Sequence, residues 1–122
     1  MARVLTFVAA VVVGGAGLWA FVAPRSFFDV IAVYPPYNQH LIHDLGAFQL
    51  GLAAALVLGL FLRDALLAVL GGNAVGAVVH FVSHVEDRAL GAHASDPFTV
   101  GAVALLLVVA SGLRWRQWRG SA

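Results

Sequence analysis

Four of the five histidines lie in two short windows, NQHLIHD at 38–44 and HFVSHVED at 80–87. Asp44, Glu86 and Asp87 stand beside them, in a sequence otherwise dominated by Ala, Val, Leu and Gly. Imidazole with carboxylate is the ligand set that suits zinc, or iron where coordination positions stay open, with copper less suited. At helical spacing His80 and His84 are four apart and Asp87 three further on, so all three share a face. Asn73 and Gly76 continue that face inward, with Ser83 beside it. His40 and Asp44 are also four apart, with His43 flanking them and Tyr37 one turn outside. The metal-ligand set read from this spacing is His40, His43, Asp44, His80, His84 and Asp87. If the site is enzymatic, metal-activated water attacking a lipid-borne or small hydrophobic substrate fits it, with Glu86 or Asp87 as proton acceptor. Redox chemistry at a bare iron or copper ion is the other enzymatic reading. Two further alternatives stand: a b-type haem held between His43 and His80, and a hydrogen-bonded or proton-carrying network without a cofactor.

For those windows to meet, two helices must bring them to one depth. Of the 122 residues 61% are hydrophobic and only 11% charged, and the mean hydropathy is +0.92. Soluble domains carry roughly one quarter charged residues, so the composition indicates an integral membrane protein. A net charge of +1 gives no argument for nucleic acid. With no cysteine, disulfides, thiolate metal sites and cysteine nucleophiles are excluded. No nucleophile elbow, phosphate loop or dinucleotide fingerprint occurs either.

The apolar runs predict four spans, at about 4–23, 38–62, 65–85 and 97–113, in one integral membrane domain covering 1–122. The first run is longer than a signal-peptide core and lacks a clean small-x-small site, so it reads as an uncleaved span. Gly14, Gly15 and Gly17 within it permit close approach of a neighbouring helix, and Gly72 and Gly76 form a GxxxG pair in the third span. Pro24 stops the first helix. Ser26 followed by Asp29 has the pattern of a capping box for a short interfacial helix. Asn38 is the expected N-cap of span two, and Asp96-Pro97 the expected N-cap and first residue of span four. Arg63 and Asp64 make a very short connection, so spans two and three are expected to be antiparallel neighbours. His93 lies among small loop residues and is expected to be solvated, while Arg25 and Arg88 have Asp29 and Glu86 as possible partners.

Arginine distribution sets the expected orientation. Arg3, Arg63, Arg114, Arg116 and Arg119 fall on one side of the spans, and Arg25 and Arg88 on the other. The positive-inside rule then puts both termini in the cytoplasm, and both histidine windows at the outer end. His40 and His84 are expected near the mouth, with His43, Asp44 and His80 about one turn deeper at ~1.5 Å rise per residue. Side chains on facing helices are how bundles build metal sites. The fold expectation is an all-α, up-down-up-down transmembrane four-helix bundle, N-in and C-in, with a short interfacial helix after span one.

The stretch PYNQHLIHDLGAFQLGLAAAL, a short hairpin and then HFVSHVED resemble small four-helix bacterial membrane proteins of the broad DoxX-like type. Asn38, Asp44-Leu45-Gly46 and His80/His84 carry the resemblance, which covers most of spans two and three. It implies a compact inner-membrane bundle and brings no catalytic residues with it. Partners expected from the sequence are the lipid bilayer and either a homo-oligomer or a larger membrane complex. An accessory subunit is thus the rival to a stand-alone metal site. Small size and glycine-rich faces on spans one and three favour that rival.

Overall fold

In lipid a backbone must satisfy its own hydrogen bonds, so long apolar runs without proline become helices. The structure, a computed structural model, describes residues 1–62, 65–91 and 93–120. Its elements are α1 (Ala2–Val22), α2 (Pro24–Val30), α3 (Gln39–Phe61), α4 (Leu66–Glu86) and α5 (Asp96–Gly120), with a single 3₁₀ turn at Asp87–Ala89. No strand occurs among the described residues. Four helices, α1, α3, α4 and α5, are long and apolar enough to cross a membrane. The connection read at Arg63 and Asp64 lies outside the described residues.

Three local details differ from the sequence reading. Pro24 does not merely stop α1; it opens α2 at the first helical position, where its missing N–H costs no hydrogen bond. Ser26 therefore lies inside α2 and makes no capping box. Its hydroxyl accepts from Trp19 Nε1 at 3.3 Å, while Asp29 pairs with Arg25 at 3.0 Å. At the start of α5, Asp96 is already helical, and its carboxylate turns back to accept from the His93 amide at 3.0 Å. The carbonyl of Ser95 instead accepts from the amides of Phe98 and Thr99. Asn38 does cap α3, its side chain accepting from the Leu41 amide at 3.1 Å. Beyond these, α5, the fourth of the long helices, runs past the expected end near 113 to Gly120. Arg, Trp and Gln end the apolar run there, but none of them breaks a helix.

The most extensive helix contact is α1 on α3, followed by α4 on α5, while α1–α5 and α3–α4 contacts complete a ring. Glycine makes the α1–α3 contact possible. A Cβ on Gly46 would stand 2.8 Å from Gly17 O and from Phe21 N, and one on Gly17 would stand 2.9 Å from Gln49 Cβ. At the opposite end of this pair the Arg3 guanidinium donates to Leu60 O at 2.6 Å. Gly72 and Gly76, in contrast, have open space where a Cβ would go, so the GxxxG pair of α4 serves no close helix contact among the described residues.

Two apolar clusters mark the two ends of the bundle. Ala9 and Ala10 of α1, Leu56 of α3, Leu66 and Leu70 of α4, and Leu107 and Ala110 of α5 form one. Ala20, Phe27, Phe28 and Ile42 form the other, which folds α2 back against α1 and α3.

Gly46→Ala is expected to lower stability by about 1–3 kcal/mol, since the clash is with backbone atoms that cannot rotate away. Gly72→Ala is expected to leave stability unchanged or slightly raised, through helix propensity. Denaturant unfolding in detergent, followed by circular dichroism, compares the two.

Candidate functional site

The end of the molecule that carries the histidines is built from the last turns of α4, the first turns of α3, and the two connections 31–38 and 87–95. The i, i+4 spacing on α4 brings His80 and His84 together, with Nε2 to Nε2 at 3.0 Å and ring centroids at 4.7 Å. His84 is half-buried and His80 exposed at the bundle margin. On the other side of the His84 ring, Nδ1 is 3.3 Å from the Tyr34 hydroxyl. Tyr34, His84 and His80 thus form a continuous hydrogen-bonded chain. Burial, then the carboxylates of Asp96 and Asp87, pushes the Tyr34 phenol above its ordinary pKa. Tyr34 is therefore a neutral phenol at any physiological pH. It can accept from an Nδ1–H of His84, which leaves Nε2 as the lone-pair nitrogen that faces His80.

That geometry has a chemical use. Two imidazole nitrogens bound to one zinc at about 2.0–2.1 Å stand roughly 3 Å apart when the bond angle is near 90–100°. The His80–His84 separation is in that range. Outer hydrogen bonds that fix the tautomer of a ligating histidine are a regular feature of such sites, and Tyr34 occupies that position.

The α3 window is arranged differently. His40 Nε2 lies 3.5 Å from Asp44 Oδ2, an i, i+4 pair whose side chains are 87% and 50% exposed. Exposed pairs of this kind hold little energy. The His43 ring lies against Phe21 of α1, with centroids 5.3 Å apart. The structure thus brings His80 to His84 and His40 to Asp44. No hydrogen bond, ion pair or ring contact among the described residues joins the two pairs, or ties His43 to either. Nor does any group of three or more histidines and carboxylates converge on one point among the described residues. The reason is in the packing: the glycine contact holds the histidine end of α3 against α1. The α3–α4 contact, as seen at Gly59, Leu66 and Val69, lies at the other end.

The other polar groups of α4 are satisfied within the helix. Asn73 is buried and donates to Val69 O at 3.0 Å, and Ser83 donates to His80 O at 2.8 Å. Tyr37, expected beside the α3 window, instead packs on Phe28, with the Arg25 guanidinium 5.0 Å from its ring centroid. Sequence spacing missed two residues that matter here. Tyr34 is 50 positions from His84, and no local pattern signals the pairing. His93 is exposed, as expected, but its Nε2 also lies 3.1 Å from Val30 O, which ties the α4–α5 connection to the end of α2. Gly91 completes this clasp with φ of +126° and Val33 O within 2.8 Å of where a Cβ would sit.

Comparison of the chain with models of known families, with curated proteins and with solved structures finds no match.

Gly91→Ala is expected to push the two connections apart, because alanine adopts this backbone only under strain and meets the Val33 carbonyl. The expected outcome is faster hydrogen exchange at the amides of Ile31 to Tyr34, with little change in the middle of α1 or α3.

Proposed function

We propose that the protein is a multi-pass membrane protein that binds a divalent transition metal, zinc or iron before copper, through His80 and His84. The observation that carries this reading is the 3.0 Å separation of the two Nε2 atoms, with Tyr34 on the far nitrogen of His84. Asp87, at the C-cap of α4 one turn beyond His84, is the proposed third ligand. His40, His43 and Asp44 stay in the proposal as further ligands on their sequence spacing alone. A two-imidazole chelate leaves positions for water, which is what metal-assisted hydrolysis requires, with Glu86 or Asp87 receiving the proton. The bundle is proposed to run up-down-up-down in a bacterial inner membrane with both termini cytoplasmic, on the arginine distribution. Membership among DoxX-like proteins belongs to the same proposal, on Asn38, Asp44-Leu45-Gly46 and the His80/His84 pair.

One observation favours a second reading, an accessory subunit of a larger membrane assembly. Gly72 and Gly76 present a small-residue face that no helix of this chain covers. Such faces are where membrane helices approach most closely. Co-purification of a partner at fixed stoichiometry, retained when His80 and His84 are replaced, would favour this reading.

Elemental analysis and Co²⁺ titration of the detergent-purified protein test the metal reading. The wild type is expected to hold metal and the His80→Ala/His84→Ala variant to lose it; equal metal in the two samples would end the proposal. Tyr34→Phe is expected to weaken binding about tenfold at unchanged stoichiometry, the effect of losing an orienting hydrogen bond. The absorption spectrum of the same samples decides the haem alternative, which requires a Soret band that His43→Ala or His80→Ala abolishes.

A further inference from the structure

The far end of α5 carries a feature that the metal reading does not use. Val109, Gly112, Leu113 and Arg116 line a groove of about 240 Å³ on the outer face of this helix. Their i, i+3, i+4, i+7 spacing places them on one strip, and the missing side chain at Gly112 opens its floor, with nothing within 4 Å of a Cβ there. The strip faces away from the core, which α5 meets through Ala104, Leu107 and Ala110. Arg116 lies about 30 Å along α5 from Asp96, at ~1.5 Å per residue, which matches the thickness of a bilayer's hydrocarbon core. Val109 and Leu113 are thus at acyl-chain depth, and the Arg116 guanidinium is at the level of lipid phosphates. Trp115 and Trp118, half-exposed with ring centroids 5.3 Å apart, mark the same interface.

Charge selects the occupant. Five of the six carboxylate side chains, Asp29, Asp44, Glu86, Asp87 and Asp96, belong to the histidine end, and the sixth, Asp64, lies outside the described residues. The apolar cluster of Ala9, Ala10, Leu107 and Ala110 sets the end of α5 beside the start of α1, where Arg3 lies. No ion pair among the described residues engages Arg116 or Arg119. A guanidinium with no carboxylate partner among the described residues, at the top of an apolar groove, matches a phosphate with a hydrocarbon chain beneath it.

We propose that this groove binds an anionic phospholipid, with Arg116 on the phosphate and one acyl chain laid along Gly112 between Val109 and Leu113. The site is independent of any metal at the other end. Native mass spectrometry of the detergent-purified full chain, titrated with phosphatidylglycerol or phosphatidylcholine, tests it. The expected result is one phosphatidylglycerol retained in preference to phosphatidylcholine. Arg116→Gln is expected to weaken it about fivefold, the worth of one arginine at an anionic surface. Gly112→Leu narrows the groove without changing charge, with open space around its Cβ, and is expected to weaken binding at least as much. Arg119→Gln, off the strip, is expected to have a smaller effect. Equal retention of the two lipids would overturn the proposal. So would equal losses from Arg116→Gln and Arg119→Gln with Gly112→Leu unaffected, which is the mark of a diffuse field. Displacement of the lipid by millimolar inorganic phosphate would overturn the lipid as occupant; its failure to displace supports the role of the acyl chain.

Discussion

The contact between Gly17 and Gly46 is the constraint from which the rest of the architecture follows. Lipid tails are as apolar as leucine, so helices in a membrane have no hydrophobic reason to associate; they associate by packing, which improves with the closeness of the backbones. Here the Cβ positions of two glycines are occupied by the backbone of the opposing helix. The pairing fixes the rotation of α3 about its axis. That rotation sends Ile42 into the cluster with Phe27 and Phe28 and sets His43 on Phe21, while His40 and Asp44 stay at the surface. The α1–α3 unit and the α4–α5 unit then meet mainly through leucines and alanines at the end remote from the histidines.

This arrangement explains why chemistry-bearing residues at similar depth form two pairs rather than one centre. Depth is a matter of counting residues along a helix, whereas the direction of a side chain depends on which neighbour the helix prefers. α4 turns Asn73 and His84 inward and leaves Gly72, Gly76 and His80 toward the outside. What joins α4 to the rest of the molecule at the histidine end is not α3 but the segment after α2, through the Tyr34 hydroxyl.

The four long helices were legible because apolar runs of this length have few other options in lipid, and Asn38 because N-capping is local chemistry. The His80–His84 contact was legible for the same reason, as two positions one turn apart. The end of α5 was not, because hydropathy falls at Arg114 while helix propensity does not; the two signals report different things. Ser26 and Asp29 matched a capping pattern, but Pro24 had already nucleated the helix two residues earlier. Tyr34 and His93 were beyond reach, since their partners are 50 and 63 positions away and are chosen by how the loops fold over one another. The expectation that the two windows share a pocket required the relative rotation of α3 and α4, and no spacing rule contains that quantity.

The clasp between the two connections bears on how the bundle can move. His93 holds the carbonyl of Val30, and Gly91 lies flush against Val33, so two loops that are distant in sequence are fastened over one mouth of the ring. At the other mouth α3 and α4 are held by Leu56, Leu66 and Leu70. The seam between these helices is consequently held directly at the leucine end, and at the histidine end only through the loops that the clasp fastens together. The His84 ring, in the last turn of α4, therefore reaches the rest of the bundle through Tyr34 and the fastened loops rather than through α3.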